Sequence, residues 1–300
     1  MPADGVVLMP LHFVKMHGLG NDYVYVDCFA QTTGRRDWPA LARAMSDRHR
    51  GVGSDGLILI APPTAGAGAD VRMEMYNADG SRGEMCGNGI RCVAKYAVRR
   101  GLVPRTGAES ARIRVQTDCG VSIIEVRDAR ARVASVRVEM GRPILAARDI
   151  PVHVSGDRCV RQALQIDGRE LFMTSVSMGN PHCVVFVEDV SAIDLPRLGP
   201  LIERHPAFPN RTNAHFVAVR SRSEVAMRTW ERGAGATQAC GSGACAVTVA
   251  GVLEGRLDRR VTCHLPGGDL EIEWPTDDGS VSMTGPAEEV FEGVWLDGSE

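Results

Sequence analysis

Two cysteines occupy closely similar sequence settings about half a chain length apart. The first segment is Cys86-Gly87-Asn88-Gly89, and the second is Cys240-Gly241-Ser242-Gly243. Each precedes an Ala- and Val-rich stretch that predicts a helix, over 87–100 and 241–254, with a glycine after it. A cysteine at a helix N-terminus lies at the positive end of the helix dipole, beside unpaired backbone N–H groups. We therefore expect the pKa of each thiol to fall from about 8.5 toward 7 or below.

The glycines after each cysteine predict an anion site as well as a base. Glycine lets a ligand approach the backbone closely, and the N–H groups of a first helical turn bind carboxylates. Two such helix ends facing each other would hold one carboxylate, with a sulfur on each face of the adjacent carbon. One thiolate would remove the α-hydrogen and the opposite thiol would return a proton, which inverts the centre. This chemistry is that of an amino-acid racemase or epimerase, with the enediolate held by backbone N–H groups.

The repeated cysteine segment also predicts the architecture. Thirteen short stretches, from Phe13–Met16 to Val281–Thr284, predict strands at hairpin-like spacing. Trp38–Arg48 and Ile193–His205 predict amphipathic surface helices. We expect an α+β fold of two pseudo-symmetric halves, each a curled, mainly antiparallel sheet around a central helix, with the active site in the cleft between them.

Composition excludes several function classes. The 300 residues carry a net charge of −3, and 5% are aromatic, which gives neither a basic field nor a stacking surface for nucleic acid. No apolar run approaches the ~20 residues that cross a bilayer, and the N-terminus lacks the features of a signal peptide. Lys15 and Lys95 are the only lysines, so few positions could hold pyridoxal phosphate. We expect a cytoplasmic protein without nucleic-acid or membrane partners.

Two further sequence patterns are rejected. The nine cysteines are odd in number and contain no CxxC pair, which disfavours both a disulfide framework and a zinc site. We expect no metal. Residues 51–56 fit the pattern GxGxxG, but a strand-like segment follows them, whereas the dinucleotide fingerprint requires a helix.

Ordered motifs along the chain resemble the diaminopimelate epimerase family. They are Phe13–Tyr23, Asn77–Ser81, Cys86–Gly89, Met178–Cys183, Arg211–Asn213, Trp230–Thr237, Ala239–Cys245 and Gly285–Ala287. Enzymes of this family interconvert LL- and meso-2,6-diaminopimelate, for lysine and peptidoglycan synthesis, without a cofactor. The resemblance implies the same reaction and a homodimer. It also implies an N-terminal half of residues 1–131, on which residues 286–300 pack, and a C-terminal half of residues 132–285.

The resemblance further implies the site residues. Cys86 and Cys240 would be the acid/base pair, and His182 and Glu231 would flank them and tune their protonation. The reacting carboxylate would lie against the backbone N–H groups of Gly87, Asn88, Gly241 and Ser242. The remaining substrate contacts would come from Asn21, Asn77, Asn180 and Asn213, with Arg232 on the distal carboxylate and Glu231 near an amino group.

Two alternatives remain open at this stage. One is a related cofactor-independent racemase for another amino acid such as histidine. Proline racemases typically carry a histidine where this chain has Asn88, which argues against that branch. The other is a thiol redox sensor or binding protein on the same scaffold, since two facing thiols of low pKa oxidise readily. Such a protein would not need the asparagines or Arg232.

Overall fold

The computed structural model of the protein describes residues 10–34, 36–83, 86–103, 110–129 and 131–296. The chain divides into two compact units, with Met1–Val136 and Pro286–Glu300 in unit 1 and Arg137–Gly285 in unit 2. The boundary expected after residue 131 stays a prediction. Residues 1–9 and 297–300 of the expected N-terminal half lie outside the described ranges.

Seventeen strands and four α-helices make up the described residues. The first part of the chain contains β1 (Leu11–Gly18), β2 (Asn21–Asp27), α1 (Trp38–Ser46), β3 (Gly56–Ala61), β4 (Val71–Asn77), β5 (Arg82–Gly83), α2 (Gly87–Arg99), β6 (Ser110–Thr117), β7 (Gly120–Arg127) and β8 (Val133–Gly141). After a short 3₁₀ helix at Ala147–Asp149 follow β9 (Gln162–Ile166), β10 (Arg169–Ser177), β11 (Pro181–Phe186), α3 (Leu195–Glu203), β12 (Asn213–Ser221), β13 (Glu224–Glu231), β14 (Gly235–Thr237), α4 (Gly241–Leu253), β15 (Arg260–Leu265), β16 (Gly268–Glu273) and β17 (Val281–Trp295).

The strand pairings of the two units repeat one another. In unit 1, β1–β2, β3–β4 and β6–β7 are antiparallel, whereas β2–β3 and β4–β6 are parallel. In unit 2 the same alternation joins β10–β11, β11–β12, β12–β13, β13–β15 and β15–β16. Each unit also adds a short antiparallel strand, β5 on β4 and β14 on β13. The predicted α+β class, with a mainly antiparallel sheet in each half, is confirmed.

Each sheet carries one helix on either face. In unit 1, α2 packs against β1, β2, β4, β6 and β7, and α1 packs against β3 and β4. In unit 2, α4 packs against β10, β11, β12, β15 and β16, and α3 against β12 and β13. Strands covered on both faces are buried along consecutive residues, as in Tyr23–Asp27 and Asn213–Val217. Alternate side chains of β12 therefore face α3 and α4.

The ends of the four helices follow from short-range sequence signals. Asp37 caps α1 by accepting the N–H of Ala40, and Asp194 caps α3 by accepting the N–H of Arg197, each with a proline in the first turn. Helices α2 and α4 both end before a glycine of positive φ, Gly101 (+73°) and Gly255 (+70°), which closes the last turn. The predicted helices over 87–100 and 241–254 are confirmed.

Some strands were not predicted from the sequence. β9 is short and buries only Leu164 and Ile166, and β15 is short and alternates polar with apolar side chains, as in Arg260-Val261-Thr262-Cys263. Their burial on a single face leaves a weak sequence signal. β17 continues to Trp295, well beyond the predicted end at Thr284, because its second half pairs with β1 in unit 1. A strand does follow residues 51–56, which confirms the rejection of the dinucleotide fingerprint.

Candidate active site

Cys86 lies at the N-terminus of α2, as predicted. Its backbone is extended (φ −131°, ψ 116°), and it forms the N-cap of the helix. The Sγ atom accepts the N–H of Gly89 at 3.3 Å and can donate to Oδ1 of Asn21, also at 3.3 Å. Both distances are within hydrogen-bonding range for sulfur. Of these two contacts of the half-buried sulfur, the Gly89 N–H favours the thiolate and the Asn21 oxygen favours the thiol.

Asp55 determines how Asn21 is presented to this cysteine. Its Oδ2 accepts from Nδ2 of Asn21 at 2.7 Å, and a carboxylate can only accept. The amide oxygen of Asn21 is therefore directed to the Cys86 thiol and to Nδ2 of Asn88, which is 3.2 Å away. The backbone of Asp55 also accepts the N–H of Ala78 at 3.1 Å, next to the predicted substrate contact Asn77. One loop thus holds two predicted substrate contacts.

A buried guanidinium supports the first turn of α2. Arg91 is fully buried and donates to the carbonyl of Gly87 at 3.2 Å, to Oδ1 of Asn88 at 2.9 Å and to the carbonyl of Pro286 at 3.1 Å. A Cβ on Gly18 would lie 2.7 Å from one of its terminal nitrogens. Glycine at position 18 therefore leaves the space in which Arg91 holds Gly87 and Asn88.

Cys240 is the N-cap of α4 and is buried. Its Sγ atom lies 3.8 Å from the hydroxyl of Ser242. Burial, followed by the negative charge of Glu231, raises the pKa of Cys240 well above its usual value, although the Gly243 N–H acts in the opposite direction. The predicted fall in pKa is therefore wrong for this thiol, because desolvation and a neighbouring carboxylate outweigh the helix N-terminus. The thiol of Cys240 is therefore protonated near neutral pH.

Glu231 and Arg232 lie at the end of β13, where the neighbouring elements hold them. Glu231 accepts the hydroxyl of Thr237 at 2.6 Å. The backbone N–H of Arg232 donates to Oδ1 of buried Asn213 at 2.9 Å, and its exposed guanidinium donates to the carbonyl of Asn210 at 3.1 Å. The guanidinium of Arg232 thus has a backbone contact in a position open to solvent.

The turn that carries this pair is tied to α3 by a buried carboxylate. Glu203 accepts from the indole N–H of Trp230 at 2.8 Å and from the backbone N–H of Gly233 at 3.2 Å. These two donors flank Glu231 and Arg232 in the chain. Glu203 therefore fixes the turn on both sides of the predicted substrate contacts.

His182 lies on β11 and is fully buried. Its Nε2 is 2.9 Å from Oδ1 of Asn180, and its Nδ1 is 2.9 Å from Nε2 of His215. The Nδ1 of His215 is in turn 3.0 Å from the hydroxyl of Thr229. Burial, with a smaller repulsion from His215, lowers the pKa of His182 well below its usual range, and burial lowers the pKa of His215 to about 3. Both imidazoles are therefore neutral at pH 7.

Comparison with known proteins bears on this arrangement. The sequence profile of the family described as Diaminopimelate epimerase matches residues 13–146 and 174–290. Over 285 residues the chain is 53% identical to the diaminopimelate epimerase of Pelotomaculum thermopropionicum, which covers 95% of this chain and 99% of that protein. Over 288 residues it is 50% identical to the diaminopimelate epimerase of Desulfitobacterium hafniense, with coverages of 96% and 99%. The chain belongs to the diaminopimelate epimerase family.

As a member of the diaminopimelate epimerase family, the protein is an isomerase. Solved structures share its fold at low identity. One is a phenazine biosynthesis protein of the PhzF family from Bacillus anthracis, with a TM-score of 0.68 and 16% identity over 96% of this chain and 100% of that one. Another is a hydroxyproline epimerase from Agrobacterium vitis, with a TM-score of 0.67 and 12% identity over 95% and 92% of the two chains. These likenesses concern the fold alone.

The structure places the predicted site residues of this family member in two groups. Unit 1 brings together Asn21, Cys86, Gly87 and Asn88, and Asn77 is linked to them through the Asp55 loop. Unit 2 brings Asn180 together with His182, Asn213 together with Arg232, and Cys240 together with Glu231 and Ser242. Gly241 lies against Met283, whose Sδ would be 2.8 Å from a Cβ at position 241. The catalytic and substrate-binding roles of these residues stay predictions.

Four positioning residues were missed by the sequence reasoning. One is Arg91, which lies within the predicted helix over 87–100. Asp55 belongs to the GxGxxG segment that was rejected as a nucleotide site, and no other role was assigned to it. His215 interrupts an apolar strand, Ala214-His215-Phe216-Val217. A polar residue at such a buried position is the sequence signal that could have identified it. Glu203 sits in the predicted helix over 193–205, where its burial could not be distinguished from a surface position.

Two features are absent from the described part of the chain. No group of three or more His, Cys, Asp or Glu side chains there is arranged to hold a metal ion. No helix there is long and apolar enough to cross a membrane.

Replacing Asp55 by asparagine should disturb Asn21 without removing it. An amide at position 55 can donate as well as accept, so the Asn21 side chain can rotate and turn its NH2 group toward Cys86. We expect kcat/KM to fall about 10-fold, the equivalent of one hydrogen bond of about 1.4 kcal/mol. Steady-state epimerisation kinetics measure the effect. Arg48→Met is the matched control, because it removes the ion pair with Asp55 but keeps the Asn21 contact. Equal losses in both variants would assign the effect to charge instead.

Acid should destabilise the protein through its buried histidines. His215 stays neutral when folded until about pH 3, whereas in the unfolded chain it binds a proton below about pH 6.5. Stability is therefore lost as pH falls from 6.5 toward 3, and His215 accounts for about 2 kcal/mol between pH 7.5 and pH 5. Urea unfolding at both pH values, for wild type and His215→Gln, measures this. The variant should lose about 2 kcal/mol less on acidification, and identical losses would contradict the assignment.

Proposed function

We propose that the protein interconverts LL- and meso-2,6-diaminopimelate by a two-base mechanism in which Cys86 and Cys240 act on opposite faces of the α-carbon. The observation that carries this proposal is that two helices, α2 and α4, each begin with a cysteine as the N-cap and continue with Gly-x-Gly. The near-full-length likeness to named diaminopimelate epimerases supports the choice of substrate.

The first turns of α2 and α4 supply the groups that stabilise the reaction. Their backbone N–H groups, at Gly87, Asn88, Gly241 and Ser242, would bind the carboxylate next to the reacting carbon. Removal of the α-hydrogen moves negative charge onto that carboxylate and forms an enediolate. Donors already in place stabilise the enediolate more than they stabilise the carboxylate of the bound substrate, which lowers the barrier.

The two thiols would exchange protonation states in each turnover. In one direction the thiolate takes the α-hydrogen and becomes a thiol, while the opposite thiol gives its proton to the other face and becomes a thiolate. Cys240 suits the role of the resting acid, because burial beside Glu231 keeps its thiol protonated. Cys86 suits the role of the resting base, because its sulfur already accepts the N–H of Gly89, a contact that favours the thiolate. The return reaction uses the same groups with their roles reversed.

The distal end of the substrate would be recognised in unit 2. Diaminopimelate carries a second carboxylate, and a guanidinium binds a carboxylate through two parallel hydrogen bonds. Arg232 is exposed and is held at its backbone by Asn213. Glu231 would accept from an amino group, and Asn21, Asn77 and Asn180 would supply the remaining polar contacts.

Proton NMR in D₂O tests the reaction and the substrate together. Reduced protein is incubated with LL-diaminopimelate, histidine and proline in separate tubes. We expect loss of the α-proton signal and formation of the meso isomer in the first tube only. Exchange of the α-proton of histidine or proline would support the same mechanism with a different substrate. If no tube shows exchange of the α-proton while both cysteines titrate as thiols, the proposal would be overturned in favour of a thiol sensor or binding protein.

We also propose a cytoplasmic homodimer that serves lysine and peptidoglycan synthesis. The family resemblance supports each part of this proposal. A run of exposed apolar side chains near the end of β17 supports the dimer. Val290, Phe291 and Val294 are each about half exposed, and Leu296 after them is 74% exposed. Neighbouring apolar side chains of this kind favour a protein partner. Light scattering should give twice the chain mass of 32.3 kDa, and a mass of one chain would contradict the dimer.

A further inference from the structure

Four side chains form a continuous line of hydrogen bonds across three strands of unit 2. The line runs from Asn180 through His182 on β11 and His215 on β12 to Thr229 on β13, with successive distances of 2.9, 2.9 and 3.0 Å. Both imidazoles are fully buried. The predicted site includes Asn180 and His182, but no role has been assigned to His215 or Thr229.

The Asn180 end of the line determines where the protons are, because the Thr229 hydroxyl can either donate or accept. A neutral imidazole has one donor nitrogen and one acceptor nitrogen. Asn180 offers its amide oxygen, an acceptor, so His182 carries its hydrogen on Nε2 and accepts at Nδ1. His215 must then donate from its own Nε2, and its Nδ1 accepts the Thr229 hydroxyl. This arrangement makes all three hydrogen bonds with both rings neutral.

His215 also contacts the helix that begins with Cys240. A Cβ at position 243 would lie 2.3 Å from Cε1 of His215 and 3.0 Å from Sγ of Cys240. Every residue except glycine has this atom, so Gly243 provides the space that the imidazole occupies beside the thiol. The groups that face His215 are therefore His182 from β11, Thr229 from β13, and Gly243 with Cys240 from α4.

We propose that His215 is a positioning residue that holds His182 in its Nε2–H tautomer. In that tautomer His182 donates to the Asn180 oxygen, and the NH2 group of Asn180 then points away from His182, toward the substrate. The substrate part of this inference rests on the proposed function. If His182 took the other tautomer, its Nε2 would accept, and the Asn180 amide would turn over and present its oxygen instead.

Two matched variants separate this role from simple packing. His215→Phe keeps a planar ring but removes the N–H that His182 accepts. His215→Gln keeps a donor that can reach Nδ1 of His182. Thr229→Val removes the hydrogen bond at the other end of the line and changes shape very little. Because a hydroxyl can pair with either tautomer of His215, this variant is the control for loss of a hydrogen bond that does not set the tautomer.

The primary measurement is a long-range ¹H–¹⁵N correlation spectrum of protein labelled at histidine, with His182 assigned by its loss in His182→Gln. Wild type and His215→Gln should show His182 as the Nε2–H tautomer. Thr229→Val should keep this tautomer, whereas His215→Phe should show a mixture or the Nδ1–H form. This readout needs no turnover, so it stands even if diaminopimelate is not the substrate.

Kinetics provide the second measurement. We expect KM to rise at least 10-fold in His215→Phe, with a smaller change in kcat, and to stay within threefold of wild type in His215→Gln. An unchanged His182 tautomer in folded His215→Phe would overturn the proposal. A changed tautomer with unchanged KM would equally overturn it, because Asn180 would then not depend on the line.

Discussion

Replacing either Cys86 or Cys240 by serine is expected to reduce the interconversion of LL- and meso-diaminopimelate by at least about 1000-fold. A serine hydroxyl matches the thiol in shape, but its pKa lies far above that of a thiol, so it cannot serve as the base that removes the α-hydrogen. Steady-state rates with each isomer as substrate measure the loss. Cys119→Ser is the control, because that exposed thiol lies outside both helix N-termini.

The two-base mechanism predicts more than loss of activity. Each single variant keeps one thiol, which can still remove the α-hydrogen on its own face and return a solvent proton to the same face. In D₂O, Cys86→Ser should therefore exchange the α-hydrogen of one stereoisomer without inversion, and Cys240→Ser that of the other. Exchange of both isomers by both variants, or full inversion by either, would rule out two bases on opposite faces.

Replacing Arg232 by methionine is expected to raise KM for diaminopimelate about 100-fold. The guanidinium would lose two charge-assisted hydrogen bonds to the distal carboxylate, the equivalent of about 2.7 kcal/mol. Methionine keeps much of the side-chain volume, and the backbone N–H that donates to Asn213 is unaffected. The kinetic constants for both isomers provide the measurement.

Two further variants test whether this effect is specific to Arg232. Arg232→Lys keeps the charge but cannot make the paired contact, so it should recover only part of the loss. Arg197→Met removes an exposed arginine on α3 that pairs with Asp167, and it should leave KM unchanged. An unchanged KM in Arg232→Met would assign the distal carboxylate to another group.

The features of the site that are local in sequence could be predicted from sequence. The N-cap positions of Cys86 and Cys240 depend on the Gly-x-Gly segment and on a helical run that ends at Gly101 or Gly255, all within a few turns. The repeat of this segment also indicated two similar units, because each apolar helix needs a sheet to cover it. Helix α1 begins at the predicted residue, Trp38, and α3 begins at Leu195, two residues after the predicted start, in each case directly after a capping aspartate.

The protonation of the site was decided by the tertiary structure. Cys240 was expected to have a lowered pKa on the basis of its own helix, whereas its pKa is raised because packing removes water from the thiol and brings Glu231 beside it. The orientations of Asn21 and His182 depend in the same way on Asp55 and His215, which lie 34 and 33 residues away in the chain. A helix dipole and an N-cap act within one turn, so sequence alone determines them. Desolvation and hydrogen-bond direction depend on the atoms that strands from elsewhere in the chain bring to the same place, and only the fold determines those.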